Sequence, residues 1–376
     1  MRGSAIVVGG GIAGLSAAIA LRRAGYEVTL FEQAPKLEPI GAAISIWGNA
    51  MAGLDWLGCG DAVRERSVQV TRLGLTALGG RTLFGPVGVA DLDGWLPSRS
   101  DLQDALLARL APAVCRLGIR IDEVAEQGGK AIARAGGETL AEADLAVVAD
   151  GIHSSIATTL LGNAPVYRGY GAVIGIGQPP DDGLEPGLAQ EVWGERDRFG
   201  LLDAGDGRRY WFYMAPFARA GDVAAVEHAA IVERGVAWPA AVRAAVAGTA
   251  PDSLIRIPIR SRPMPRAFGS GRVICIGDAA HAMEPNQGQG GCQGIEDAWL
   301  LGTLAQRLPP GALLAELQAR RLSRVRGYWR DSAIVGRAAH SPSAFERGAL
   351  RTMLALAPKG LDRRGIAARH TPPSYR

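Results

Sequence analysis

The sequence predicts a mixed α/β fold in which parallel βαβ elements are interleaved along the chain with an antiparallel sheet. Three observations predict it. A short apolar run, a glycine-rich turn and a helical pattern open the chain, and a second apolar run followed by a Gly-Asp turn lies at residues 272–278. Between them, two stretches alternate apolar and polar residues, which is typical of strands with one buried face.

The first element of the chain is a strand, a tight turn and a helix. Apolar residues 5–8 precede Gly9, Gly11 and Gly14. In such a turn the first glycine permits the sharp bend, the second lets the backbone approach a pyrophosphate, and the third lets helix and strand pack closely. Glu32 ends the next predicted strand, where a carboxylate accepts a hydrogen bond from an adenosine ribose. The pattern indicates a Rossmann-like dinucleotide site.

The following segments are predicted from their periodicity and breakers. In chain order they are a helix at 55–66, antiparallel strands at 68–96, a helix at 100–110 capped by Ser100, sheet strands at 119–121 and 145–149, strands over most of 166–262 with helices within 222–247, and helices over 293–339.

A second motif follows the apolar strand at 272–276. Gly277 and Asp278 come directly after it, and a carboxylate at a strand's carboxyl end can bind the hydroxyls of a ribityl chain. The Gly288–Gly291 run then opens a helix, whose free N–H groups can face the flavin edge that becomes negative on reduction. The first turn suits the adenine half of FAD, and the second can reach its flavin half. The two motifs together therefore predict FAD.

Composition excludes several other classes of protein. The chain has 376 residues, 48% of them hydrophobic, and a net charge of +4. No apolar stretch approaches the ~18 residues of a membrane span. The 4 cysteines show no paired spacing and the 5 histidines no metal-ligand spacing, so we expect no metal site and a cytoplasmic protein. The arginine cluster at 320–326 is predicted to be a solvated helix face, and nucleic-acid binding is not expected.

With these motifs the chain resembles the group A FAD-dependent aromatic hydroxylases, the para-hydroxybenzoate hydroxylase-like family, from residue 4 to about 340. Three segments carry the resemblance: Gly9–Gly14, Asp150–Ser154 and Gly277–Ala298. Residues 41–46 are similar to single-domain members of the urate and salicylate hydroxylase types. Ala157 departs from the pattern, because the family usually has an arginine there, in a motif implicated in both FAD and NAD(P)H interaction.

From the motifs and the resemblance we assign an FAD-binding domain to residues 1–70, 97–165 and 266–330, a substrate-binding antiparallel sheet to 71–96 and 166–265, and C-terminal helices with a tail to 331–376. The residues expected to bind FAD are Gly9, Gly11, Ile12, Ala13, Gly14, Glu32, Gln33, Ala43, Arg99, Val124, Asp150, Gly277, Asp278, Pro285, Gly288, Gly290 and Gly291.

Arg198 and Tyr210 are the candidate catalytic residues, because they resemble an arginine and a tyrosine near the substrate in urate hydroxylase-type members. An arginine can bind an anionic substrate, and a tyrosine can polarise it. An ordinary hairpin without a catalytic role is the alternative.

The resemblance implies that NAD(P)H reduces FAD, that O2 then gives a flavin C4a-hydroperoxide, and that this hydroxylates a small aromatic or heteroaromatic compound. A monomer or homodimer is expected. Two alternatives stay open: epoxidation of an olefin or indole-type substrate, and a non-oxygenating FAD oxidoreductase. A flavin-binding protein without chemistry is a further possibility, whereas the 3 lysines lie in the wrong places for a flavin-dependent halogenase.

Overall fold

The computed structural model describes residues 2–37, 43–179, 183–356, 365 and 367–375. The strands are β1 (Gly3–Val8), β2 (Tyr26–Glu32), β3 (Ser67–Val70), β4 (Arg72–Ala77), β5 (Thr82–Gly88), β6 (Gly94–Pro97), β7 (Cys115–Leu117), β8 (Glu123–Gln127), β9 (Lys130–Ala135), β10 (Glu138–Ala143), β11 (Leu145–Val148), β12 (Val166–Gly177), β13 (Leu188–Trp193), β14 (Arg198–Asp203), β15 (Arg209–Pro216), β16 (Ile255–Ser261), β17 (Gly269–Ser270) and β18 (Val273–Cys275). The α-helices are α1 (Ile12–Arg23), α2 (Gly48–Leu57), α3 (Gly60–Glu65), α4 (Arg99–Leu107), α5 (Ser155–Leu161), α6 (His228–Arg234), α7 (Ala240–Ala247), α8 (Gly277–His281), α9 (Gly290–Ala305), α10 (Pro310–His340) and α11 (Ala344–Leu356).

A six-stranded sheet with the order β17-β18-β11-β1-β2-β7 forms the first layer. All its neighbours are parallel except β17 and β18. Val8 stands opposite both Val148 and Phe31, so the strands end together. The turns that follow β1, β11 and β18 therefore meet at one edge, as the fold class predicted.

The two faces of this sheet are covered differently. Helices α1 and α9 pack together against one face, in a core that contains Leu15, Leu30 and Ile295. On the other face the core contains residues of the three-stranded sheet β10-β9-β8, among them Val124. Both faces are buried, which explains why the strands of the parallel sheet are apolar throughout.

The second large sheet has the order β16-β12-β15-β14-β13-β4-β5 and is antiparallel except between β13 and β4. Its outer face, with Phe199 stacked on Trp211, is buried beneath α6 and α7. Its inner face, which carries Arg198, Tyr210 and Phe212, is turned towards the first sheet. Burial of each large side chain on the outer face contributes about 1.5–3 kcal/mol and holds the inner face in place.

Three element predictions are wrong. The single helix predicted at 55–66 is divided in two, because Gly58 takes a positive φ of 83° and ends α2 before α3 begins at Gly60. Helix α4 is capped by Ser98, whose Oγ accepts the N–H of Asp101, so Ser100 lies inside the first turn. Residues 119–121 are not a strand, because Gly118 takes a positive φ of 72° and ends the ladder after β7.

The arginine cluster also differs from its prediction as a solvated face. Arg321 is fully buried and Arg324 is half-buried, whereas Arg320 and Arg326 are exposed. Among the described residues, no helix is long and apolar enough to cross a membrane. The same residues contain no group of three histidine, cysteine, aspartate or glutamate side chains placed to hold a metal ion.

Candidate active site

The glycines after β1 form a turn with two different environments. A Cβ atom on Gly9 would lie 2.5 Å from the carbonyl oxygen of Ala149, and one on Gly14 would overlap the carbonyl oxygen of Gly9. A Cβ on Gly11 would have no atom of the described residues within 4 Å. Gly11 is the N-cap of α1, with φ −75° and no side-chain cap. Gly9 and Gly14 are therefore required by packing, whereas Gly11 leaves the helix start accessible to a ligand.

The end of β2 carries a carboxylate held by backbone donors. Glu32 accepts the N–H of Gly10 at 2.6 Å and that of Ala34 at 2.8 Å, one at each oxygen. A carboxylate has about four acceptor positions, so Glu32 can still accept a ribose hydroxyl. Gln33 is exposed beside it.

The turn after β11 contains a carboxylate with an unused acceptor. Asp150 Oδ1 is buried and has no hydrogen-bond partner in the described part of the chain, and burial raises the pKa of this carboxyl. Behind it, the fully buried Arg262 donates to the carbonyls of Ile152 at 2.9 Å and Ser154 at 2.6 Å. This guanidinium comes from the end of β16 and braces the turn that lacks an arginine at Ala157. No sequence signal marked Arg262.

The second glycine turn packs against the first helix. Gly277 has a positive φ of 56°, and a Cβ there would lie 2.9 Å from the Cβ of Ala13. Gly294 of α9 approaches Ala13 equally closely. Asp278 is exposed although its neighbours are buried, so its carboxylate projects into a cleft between the two motifs. Desolvation by the neighbouring protein atoms raises the pKa of Asp278, and the charges of His281 and Arg99 oppose this rise.

The start of α9 lies beside the segment that follows residue 42. A Cβ on Gly288, which has φ 61°, would be 3.2 Å from Ser45, and one on Gly291 would be 2.6 Å from Ile44. Ile44 follows Ala43, which is half-buried, whereas positions 41 and 42 lie outside the described residues. Gly290 is half-buried at the first position of α9, on the Asp278 side. These glycines keep the first turn of α9 free of side chains, as a site for a flat ligand requires.

A buried ionic cluster fixes α9 from behind. Arg321 donates from Nε to Asp297 at 2.7 Å and from another nitrogen to Glu296, and all three side chains are buried. Asp297 also bonds His281 at 2.7 Å and the N–H of Gly277 at 3.0 Å. Burial alone would raise the pKa of Asp297, but Arg321 and His281 bring it down to about 2. The cluster therefore ties the Gly277 turn to α9 and α10 through charge.

Arg99 lies between the cofactor motifs and the second sheet. It is half-exposed at the first position of α4 and makes no hydrogen bond or ion pair with any residue that the structure describes. Its charge acts on both Asp278 and Tyr210 and opposes the rise in their pKa values. An arginine that has no bonded partner among the described residues suits an anionic group of the predicted cofactor.

Arg198 is more enclosed than its sequence pattern suggested. Only 1% of it is exposed. It donates to Glu191 Oε2 at 3.2 Å, to Met214 Sδ at 2.9 Å and to Asn286 Oδ1. Asn286 belongs to the 3₁₀ turn Pro285–Gln287, in which Pro285 is exposed. Arg198 therefore connects the second sheet to the loop that precedes α9.

Tyr210 lies at the other end of the same inner face. Arg198 pairs with Met214, four positions beyond Tyr210 on β15, which separates their Cα atoms by about 13 Å along the sheet. The Phe212 ring lies between them, and the Arg198 guanidinium lies 5.7 Å from its centre. The Tyr210 hydroxyl has no hydrogen-bond partner among the described residues, and burial raises its pKa to about 12.

The predicted cofactor residues thus fall into two groups. Most of them lie along the cleft from Glu32 through Gly11 and Asp278 to Gly288. Val124 instead is buried in the core beneath the three-stranded sheet. Four features fit a long cofactor with phosphates in the middle and hydroxyls on both sides. They are the open backbone at Gly11, the exposed Asp278 and two groups that have no hydrogen-bond partner among the described residues, Asp150 Oδ1 and Arg99.

Comparison with known proteins agrees with this geometry. A family model described as an FAD binding domain matches residues 2–330. The chain is 32% identical over 349 residues to the aurachin C monooxygenase/isomerase of Stigmatella aurantiaca, covering 90% of each chain. It is 31% identical over 341 residues to the FAD-dependent urate hydroxylase of Klebsiella oxytoca, covering 86% of each. The structure of Klebsiella pneumoniae HpxO complexed with FAD and uric acid superposes with a TM-score of 0.87 and 26% identity, over 98% of this chain and 96% of that one. The chain therefore belongs to the FAD binding domain family that contains the FAD-dependent hydroxylases.

Proposed function

We propose that the protein is an FAD-dependent monooxygenase that uses NAD(P)H and O2 to hydroxylate a small aromatic or heteroaromatic compound. One observation carries the proposal: Arg99 lies near both Asp278, on the cofactor side, and Tyr210, on the inner face of the second sheet, and its charge opposes the rise in the pKa of both groups. A flavin bound along the first sheet would thus end beside an aromatic-lined surface. The relatives named as a urate hydroxylase and an aurachin C monooxygenase support the same reaction class.

FAD would supply the redox chemistry, including the activation of O2. The chain would hold it with the Gly11 helix start at the phosphates, Glu32 at the adenosine ribose and Asp278 at the ribityl hydroxyls. The free N–H groups at the start of α9, from Gly290 onwards, would stabilise negative charge on the ring. The remaining residues assigned to the cofactor from sequence would complete these contacts, Val124 only through its backbone because its side chain is buried.

Tyr210 and Arg198 have different proposed roles on the substrate side. Tyr210 would contact the substrate directly, as a neutral hydroxyl that donates a hydrogen bond, because a pKa of about 12 keeps it protonated at neutral pH. Arg198 is already bonded to Glu191 and Asn286. We therefore place Arg198 at the edge of the substrate site, where it positions those two side chains, rather than in contact with the substrate.

The domain division made from the sequence is kept as part of this proposal. The protein would act in the cytoplasm. It would be a monomer or a homodimer, and light scattering of the purified protein would distinguish these two states. Epoxidation would use the same cofactor site and is the closest alternative. A non-oxygenating oxidoreductase would share the cofactor but would consume no O2.

The test is turnover of the purified protein in air with NADH or NADPH. The panel would contain phenolic acids, hydroxypyridines, indoles, quinolones and urate, and products would be analysed by mass spectrometry. The proposal expects nucleotide oxidation stimulated by a ring compound and a product one oxygen atom heavier. A product that differs only by hydrogen, formed without O2 consumption, would establish the oxidoreductase instead.

Replacement of Tyr210 by phenylalanine is expected to lower kcat/KM by about 10- to 100-fold, because one hydrogen bond to the substrate is lost. FAD affinity should stay unchanged. Tyr213→Phe is the matched control, since Tyr213 points to the outer face of the same strand and bonds Asp197 at 3.1 Å. Equal losses in the two variants would show that Tyr210 acts only through the stability of β15.

A further inference from the structure

Glu191 is an acidic residue on the inner face of the second sheet that the sequence motifs did not mark. It pairs with Gly200, between Arg198 and Tyr210 in the sheet. Its Oε2 accepts Trp193 Nε1 at 2.9 Å and Arg198 Nη1 at 3.2 Å. Its side chain is 31% exposed, and its Oε1 has no donor among the described residues. One carboxylate oxygen therefore remains free to accept a hydrogen bond from a ligand.

The ion pair between Glu191 and Arg198 also decides the net charge of this part of the inner face. Arg198 has neutral partners apart from Glu191, so the two charges offset each other. At the other end, Arg99 and Asp278 are oppositely charged and act on each other. An anionic substrate would therefore find no unbalanced positive charge beside Arg198, and taking an unpaired anion out of water is costly.

Between the two ends the inner face carries the aromatic ring of Phe212. A Cβ on Gly200 would overlap the ring of Phe212, so only glycine lets this ring lie across the strand. Leu75 flanks Glu191 on the other side. Phe212 is half-buried, unlike the fully buried outer face, whereas Leu75 packs against α10 and α11 in a core that contains Trp193 and Ala338. The Phe212 ring can stack on a planar ligand.

We infer that the substrate is a neutral heteroaromatic compound whose ring N–H donates to Glu191 Oε1 and whose oxygen substituent accepts from Tyr210. This inference rests on the proposed function and narrows it. Glu191 lies across Gly200 from Phe212, which is two residues from Tyr210, and this separation of the two proposed contacts suits a bicyclic ring. A 4(1H)-quinolone has this chemistry, with its N–H and carbonyl at opposite ends of one ring.

The first test uses the FAD-loaded wild-type protein and three rings, with binding followed by the change in flavin absorbance. The rings are 4(1H)-quinolone, its N-methyl derivative and 4-hydroxybenzoate, which is an anion at neutral pH. The N-methyl derivative has the same ring but no donor, so it should bind at least about tenfold more weakly. The anion should also bind more weakly than the quinolone. Equal binding of the N–H and N-methyl rings, or tighter binding of the anion, would overturn the inference.

The second test replaces Glu191 with glutamine. The glutamine carbonyl must stay at the Oε2 position to accept from Trp193 and Arg198, so its amide would present N–H groups to the substrate N–H. The quinolone should then lose its preference over the N-methyl ring, and 4-hydroxybenzoate should bind more tightly, because Arg198 is no longer neutralised. Glu195→Gln is the control, since the Glu195 side chain is 86% exposed beside the same hairpin.

The two proposals fail in different ways. An unchanged order of affinities in Glu191→Gln, or preferential hydroxylation of 4-hydroxybenzoate by the wild type, would overturn the role of Glu191 and leave the monooxygenase reaction standing. Quinolone binding with the expected N–H preference but no incorporation of oxygen would support the role of Glu191 and count against the monooxygenase.

Discussion

Replacing Arg321 with methionine is expected to lower the free energy of unfolding by about 3–5 kcal/mol, because it leaves two buried carboxylates short of their main counter-charge. Methionine has a similar length and fills the space. Glu296 would keep Arg324 at 2.7 Å, and Asp297 would keep His281 and the N–H of Gly277. Urea unfolding of the FAD-free protein at pH 8 would measure the loss. Arg320→Met is the control, since Arg320 is exposed and, within the described part of the chain, forms an ion pair only with Glu316, at 3.4 Å.

The pH dependence distinguishes a charge effect from poor packing. In the wild type the pKa of Asp297 is lowered to about 2, so its contribution is present above the ordinary carboxyl pKa and is lost as the pH falls towards 2. Without Arg321, burial would raise the pKa of Asp297 above its ordinary value. The variant should then gain stability relative to the wild type as the pH is lowered from 8 to 5.5. A deficit that does not change with pH would attribute the loss to packing.

The parallel sheet and its turns were predictable because their requirements are local. A Cβ on Gly14 would overlap the carbonyl of Gly9 in the same turn, so this constraint is visible in the spacing of the glycines. The Ser98 cap was missed because two serines flank Arg99 and either can cap a helix. The structure selects Ser98, which places Arg99 at the first helical position.

The substrate side was less predictable because its contacts are distant in sequence. Arg198 and Tyr210 could be singled out by resemblance, but not the bond of Arg198 to Asn286, 88 residues away. Nothing in the sequence distinguishes Glu191 from the other acidic residues, because its contact with Arg198 depends on the pairing of β13 with β14. Arg321 had the local pattern of a solvated face, and only the packing of α10 on α9 shows its partners. Charge pairs that join distant elements have no local sequence period to reveal them.

Replacing Gly11 with alanine is expected to weaken FAD binding by about 10- to 100-fold while leaving the FAD-free protein as stable as the wild type. Gly11 has φ −75° and free space at its Cβ position, so alanine fits the protein itself and can even add up to about 1 kcal/mol of stability. A phosphate bonded to the first turn of α1 would lie where the new methyl group points. Loss of one charge-assisted hydrogen bond, about 1.5–3 kcal/mol, gives the expected factor.

Gly14→Ala is the matched comparison, because it adds the same methyl group three residues away. Its Cβ would overlap the Gly9 carbonyl and force α1 away from β1, so FAD affinity and the unfolding free energy of the FAD-free protein should both fall. Titration of each FAD-free variant with FAD, alongside urea unfolding, separates the two effects. If Gly11→Ala loses affinity without losing stability, the cofactor phosphates lie over Gly11. If Gly11→Ala binds FAD as tightly as the wild type, the pyrophosphate lies elsewhere, and the open helix start serves only to end the turn.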